Sequence, residues 1–228
     1  VLPQYEGEGM ILRLHSKNIP DGINLFWAFG GATGKRFPRE GDIGADPESS
    51  FYLKPGYCKD NYFDINKNSF TLYFGSGVAR SETGSTKDPD GFPDALVRDS
   101  ALRHSRRLMG LIPPGSEIRI SDAERQGSPD ILFDSPFRSV GVLSGKMILP
   151  DDEHLYFLIS VPQQDVIFEN STFPSYKNIP ELFTASEESR KKIAGRIRVH
   201  TPDPYINTFG AALSVAADAI WEPPSYLH

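Results

Sequence analysis

The stretch "NYFDINKNSFTLYFG", Asn61 to Gly75, decides how the rest of the chain is read. Tyr62, Asp64 and Asn66 alternate with Phe63 and Ile65, the period-2 pattern of a strand. Asn66-Lys67-Asn68 then supplies turn residues, and a second aromatic run follows, so the stretch reads as a β-hairpin. Working outward, "EGMILRL" (Glu8 to Leu14) starts another strand, and "INLFWAFGG" (Ile23 to Gly31) is apolar enough to be central in a sheet. "SEIRISD", "DILFD" and "RSVGVLSGKMIL" continue the strand pattern, and "EHLYFLISVP" (Glu153 to Pro162) is its strongest case, entered through the turn-like "LPDDEH". Many short strands punctuated by Gly, Pro and Asp predict a mainly β fold, a large antiparallel β-sandwich over residues 1–165 followed by a short helical C-terminal segment.

Composition agrees. The 228 residues carry 19 prolines and 20 glycines, which favours short elements. With 39% hydrophobic and 11% aromatic residues the chain can fill a core. A net charge of −6 argues against a nucleic-acid partner, which requires a dense basic face. The single cysteine, Cys58, leaves neither an internal disulfide nor a cysteine metal cluster. No apolar run is long enough to span a bilayer. The chain starts at Val1, so either a leader has been removed or the sequence begins within a longer protein.

Two stretches, Lys35 to Lys59 and Ser76 to Asp94, read as long loops. After residue 165 the character changes. "NSTFPSYKNIPELF" is a polar connector, and "TASEESRKKIAG" reads as a short helix that begins at the Thr184/Glu187 capping-box spacing and stops at Gly195. "RIRVHTP" alternates basic and apolar residues and is expected to be extended. Residues 166–202 are thus a linker with a short helix. Residues 203–228 form a final helical segment, "DPYINTFGAALSVAADAIWEPPSYLH". Asp203 is a good N-cap, Pro204 suits the first helical position, and Pro223-Pro224 stops the helix after about Trp221.

The faces of that helix matter more than its ends. Ile206, Phe209, Leu213, Ala217 and Ile220 form one apolar stripe, and only Asn207, Thr208, Ser214 and Asp218 are polar. A helix apolar nearly all round needs neighbours on more than one side. The expectation is that partner helices lie outside this chain or in another subunit. The competing reading tucks the helix between the sandwich and its own loops. "TPDPYINTFGAALSVAADAIW", Thr201 to Trp221, resembles the linker and first barrel helix of the six-hairpin glycoside hydrolases and phosphorylases. The resemblance implies a β-sandwich, a linker and then an (α/α)6 barrel that holds the catalytic acid and base. The sequence departs from that pattern by ending before a barrel could form. The family's catalytic carboxylates are therefore expected beyond His228, and none is assigned here. "WEPPSYLH" is similar to the loop that leaves the first barrel helix toward the sugar site, which makes Trp221, Tyr226 and His228 the candidate substrate-lining residues.

Other chemical signals are weaker. "FGGATGKRF" (Phe29 to Phe37) lacks the first glycine of a phosphate loop and has Arg36 where Ser or Thr would bind magnesium, so it reads as a glycine-rich turn. Asp88, Asp90, Asp94 and Asp99 lack EF-hand spacing. "RHSRR" places Arg103 and Arg107 on one face of a strand and His104 and Arg106 on the other. This solvated pattern is also able to pair with uronate or sulfate groups, so Arg103, Arg106 and Arg107 are secondary candidates. The five histidines show no metal-ligand spacing, and no nucleophile motif occurs. Asp151, Asp152 and Glu153 are adjacent in a turn, whereas glycosidase carboxylates face one another across a substrate. Trp27 reads as core. No metal and no cofactor is expected.

The leading expectation is a non-catalytic N-terminal module of a carbohydrate-active enzyme, periplasmic or extracellular. It would brace a helical-barrel glycosidase domain of the same polypeptide, with an oligo- or polysaccharide as the ligand of the whole. A free-standing carbohydrate-binding module is the alternative, and a self-contained polysaccharide-active enzyme on a sandwich scaffold, such as a lyase, the second. An exposed final helix would also invite self-association.

Overall fold

The computed structural model describes residues 1–5, 7–33, 53–74, 106–162 and 174–220. In chain order the elements are β1 (Leu2–Pro3), β2 (Gly9–His15), β3 (Asn24–Phe29), β4 (Tyr62–Asn66), β5 (Ser69–Phe74), β6 (Arg106–Leu111), β7 (Glu117–Asp122), α1 (Pro129–Asp134), β8 (Gly141–Ile148), β9 (His154–Ser160), α2 (Ile179–Ala194) and α3 (Pro204–Ile220). Among the described residues the strands form a six-stranded sheet, ordered β1-β2-β9-β6-β5-β4, and a three-stranded sheet, ordered β3-β8-β7. All pairings are antiparallel. The fold is mainly β, as the hairpin predicts. That hairpin is β4–β5, with Asn66 opposite Ser69 and Lys67 at φ 54° in the two-residue turn.

The two sheets face each other across an apolar layer. Phe63, Phe70 and Leu72 from the larger sheet meet Leu143 from the smaller, with Trp27, Phe29, Ile118, Ile120, Phe157 and Ile159 packed around them. Two glycines make room for aromatic rings. A Cβ on Gly110 would fall 2.3 Å from the Phe70 ring opposite it, and one on Gly145 would fall 2.0 Å from the Trp27 indole. Each ring fills the space that a side chain on the cross-strand glycine would need. Trp27 also meets Phe157 of the other sheet edge-on, with ring centroids 5.7 Å apart.

The near-continuous apolar run of β9 follows from its place. Phe157 and Ile159 point into the inter-sheet layer, while Tyr156 and Leu158 point outward and are covered by α2. A strand covered on both faces has no polar face to display. Helix α2 thus forms a third layer on the larger sheet, within residues 166–202, where a linker with a short helix is expected. On the far side, α1 covers the smaller sheet through Phe133, whose ring meets Phe26 at 5.9 Å. There Ser121 and Ser144 join hydroxyls at 2.6 Å in a fully buried pair. Cys58 lies beside Val140 and Val142 in a third cluster, and burial pushes its thiol up to about 11.

Three local expectations are corrected. "DILFD" is not a strand but most of α1: Ser128 caps it, its hydroxyl accepting the Ile131 N–H, and Pro129 occupies the first turn. The next helix begins at Ile179 rather than Thr184. Pro180 sits in its first turn, and the Thr184 hydroxyl bonds back to the Pro180 carbonyl from inside the helix. β3 is an edge strand among the described residues, not a central one. It is apolar on both faces because Trp27 and Phe29 meet the larger sheet while Phe26 meets α1. "RIRVHTP" forms no strand and runs beside α3. The expected loop at Ser76 to Asp94 and most of the one at Lys35 to Lys59 lie outside the described residues. The latter's end, Pro55–Cys58, forms a single 3-10 turn.

Candidate functional site

The site that stands out is built by α2, the segment after it, and α3. Helix α2 docks by apolar burial: Ile179 and Phe183 close on Ile11, Leu111, Tyr156 and Leu158. Arg13 from β2 lays its guanidinium 4.2 Å from the centre of the Phe183 ring. Tyr156 lies past the three-residue pairing of β9 with β6, and its N–H donates instead to the Tyr176 hydroxyl at 3.0 Å. Burial holds the Tyr176 phenol above its ordinary range. Ser186, buried on α2, accepts the Tyr5 N–H at 3.1 Å and so ties the start of the chain to the helix.

Helix α3 docks by the opposite chemistry. Asp203 caps it through Oδ1, which accepts the Tyr205 N–H at 2.8 Å. Asn207 clamps Thr201 from both sides: its Oδ1 accepts the Thr201 N–H at 2.7 Å, and its Nδ2 donates to the Thr201 carbonyl at 2.9 Å. Gly210 lets Val199 approach so closely that a Cβ there would lie 2.7 Å from it. The Ser214 hydroxyl accepts the Ile197 N–H at 3.2 Å, and Asp218 meets Arg196 at 3.0 Å and Arg190 at 3.6 Å. The strandless segment after α2 leaves backbone groups that need partners, and this small and polar stripe supplies them.

The predicted apolar stripe consequently points away. Phe209 is 60% exposed, Ile206 49% and Leu213 45%, with Tyr205 and Ala217 exposed beside them. The sequence identified this stripe correctly as unusual. It did not foresee that Asn207, Ser214 and Asp218, three of the four polar residues of the helix, would face the protein, while Thr208 is exposed.

The other sequence candidates are not brought together. Trp221, Tyr226, His228 and Arg103 lie outside the described residues, as do His104 and the aspartates at 88, 90, 94 and 99. Arg106 and Arg107 do sit on a strand, opposite Phe74 and Tyr73, and point to opposite faces. Around Tyr73, burial and the Asp64 carboxylate outweigh Arg107, and its phenol is held above the ordinary range. Asp151 and Asp152 serve a turn: Asp151 accepts the Ile19 N–H at 3.3 Å, and Asp152, at φ 56°, meets His15 at 3.1 Å. The rings of His15 and His154 meet across β2 and β9, tilted by 51° with centroids 4.4 Å apart. Among the described residues no group of three or more His, Cys, Asp or Glu is placed to hold a metal ion. Among the same residues no helix is long and apolar enough to cross a membrane.

A protein-family model described as "Domain of unknown function (DUF4450)" matches residues 1–187. The match takes in both sheets and the first half of α2, and α3 lies beyond it. No curated protein matches the sequence. Because the match covers well over half of its length, the chain belongs to the DUF4450 family.

Proposed function

We propose that this chain is a non-catalytic β-sandwich module of a carbohydrate-active protein, and that α3 is its joint to a helical layer. The observation that carries the reading is the outward stripe of Ile206, Phe209 and Leu213 on a helix that turns Asn207, Ser214 and Asp218 inward. Covering such side chains contributes about 1.5–3 kcal/mol each, and a helix packs best against helices that interleave with its ridges. The resemblance of Thr201 to Trp221 to the entry of a six-hairpin barrel supplies the carbohydrate part of the proposal. In that setting the barrel carries the acid and base, and Trp221, Tyr226 and His228 border its sugar site. A periplasmic or extracellular location goes with the same reading.

Hydrogen exchange over residues 204–220 tests the joint. Exchange there should slow markedly in the parent protein relative to this chain alone, and equal rates in the two would sink the proposal. This chain alone should turn over no polysaccharide; any turnover would place the chemistry on the sandwich instead.

A further inference from the structure

At the other end of the molecule, a cleft of about 310 Å³ opens between α1, the turn after β7 and the segment leading into β8. That volume is at the small end of ligand sites, which span about 300–1,000 Å³. Its frame is fixed. Asp122 ends β7, its Oδ1 accepting the Glu124 N–H and its carbonyl the Arg125 N–H, both at 3.0 Å. Gln126 ties the same turn to the Leu53 carbonyl at 2.7 Å. On the opposite wall the Ser135 hydroxyl donates to the Leu132 carbonyl at 2.8 Å.

Most polar groups of the cleft are therefore already engaged. Asp134 faces Arg119 at 3.6 Å, and Arg119 in turn bonds Glu117 and lies 4.0 Å from the centre of the Phe133 ring. Arg125 and Arg138 differ. Both line the cleft, both are exposed, and the guanidinium of neither has a hydrogen-bond or ion-pair partner among the described residues. Beside them Ile131, 51% exposed, and Pro136 form an apolar wall.

We propose that this cleft binds a small organic carboxylate, with Arg125 and Arg138 holding the carboxylate and Ile131 and Pro136 lying against its body. Each guanidinium offers a planar fork of N–H donors that matches the two oxygens of a carboxylate. Asp122 and Asp134 also line the cleft and repel multiply charged anions, which favours a ligand with a single carboxylate. The volume admits a single ring-sized molecule. The proposal goes beyond the module reading and stands without it.

The test is a titration of the arginine Nε–Hε resonances of Arg125 and Arg138 by nuclear magnetic resonance. Glucuronate and benzoate are the probes, one with a polar body and one apolar, with glucose and inorganic phosphate as controls. At least one carboxylate should shift both resonances saturably at millimolar concentration, and glucose should not. Arg125→Gln and Arg138→Gln should each weaken binding about tenfold. Both residues are exposed, so each variant should keep the fold, which circular dichroism checks. Three results overturn the proposal: no saturable shift with either carboxylate, binding undiminished in both variants, or tighter binding of phosphate than of either carboxylate.

Discussion

Helices α2 and α3 follow each other in the chain and pack together, yet they turn opposite chemistry toward the protein. α2 buries Ile179, Phe183 and Ile193 and exposes Glu181, Glu188, Lys191 and Lys192. α3 turns in Asn207, Gly210, Ser214 and Asp218 and exposes Ile206, Phe209 and Leu213. The first arrangement is that of a helix finishing a core. The second holds a helix in place by hydrogen bonds and close backbone approach while its apolar surface remains available. Burial fixes α2 non-directionally; α3 is fixed by a few groups with strict geometry.

That contrast can be broken or sharpened by substitution. The largest effect belongs to Phe183→Ala, which empties a site enclosed by Tyr156 and roofed by Arg13. Urea unfolding should show a loss of about 3–5 kcal/mol. Ser214→Ala comes next, because it leaves the Ile197 N–H without its acceptor. It should cost about 1–3 kcal/mol, read as faster hydrogen exchange across α3 while the sandwich strands stay protected. Asp203→Ala removes the N-cap and should weaken α3 by about 1 kcal/mol, seen in the same exchange measurement. Phe209→Ala should change the stability of this chain by no more than about 0.5 kcal/mol, despite deleting the same side chain as Phe183→Ala. A loss there rivalling that of Phe183 would show that α3 is buried after all and would erase the distinction.

The β part of the molecule was legible because alternation reports burial directly. Tyr62 to Phe74 shows its pairs and its turn in the residues themselves, and β9 shows by lack of alternation that both its faces are covered. Short helices were harder. Pro129 to Asp134 is under two turns, too brief for a helical period to appear, so its Ile-Leu-Phe run read as strand. The true signal was Ser128-Pro129, a cap followed by proline. In α2 the Thr184/Glu187 spacing suggested a start that Pro180 contradicts. For α3 the stripes were both visible, but a stripe does not say what lies across from it. That depended on where the unpaired backbone of residues 197–201 runs. The arginine cleft was invisible for a related reason: its walls come from separate segments, and nothing local marks Arg125 and Arg138 as lacking partners.

The pairing of β2 with β9 has a consequence for how the molecule is made. β2 lies between β1 and β9, and β9 joins the first strands to β6, β5 and β4. During synthesis the β4–β5 hairpin can close as soon as it emerges. β2 has only the two-residue β1 to pair with until the ribosome has delivered His154 to Ser160. Until then Met10, Ile11, Leu12 and Leu14 sit on an open strand edge, a surface that favours association with other chains. Closing so distant a pair is slow, which makes β9 the latch of the larger sheet and the arrival of residues 154–160 the step at which the nascent chain ceases to be sticky.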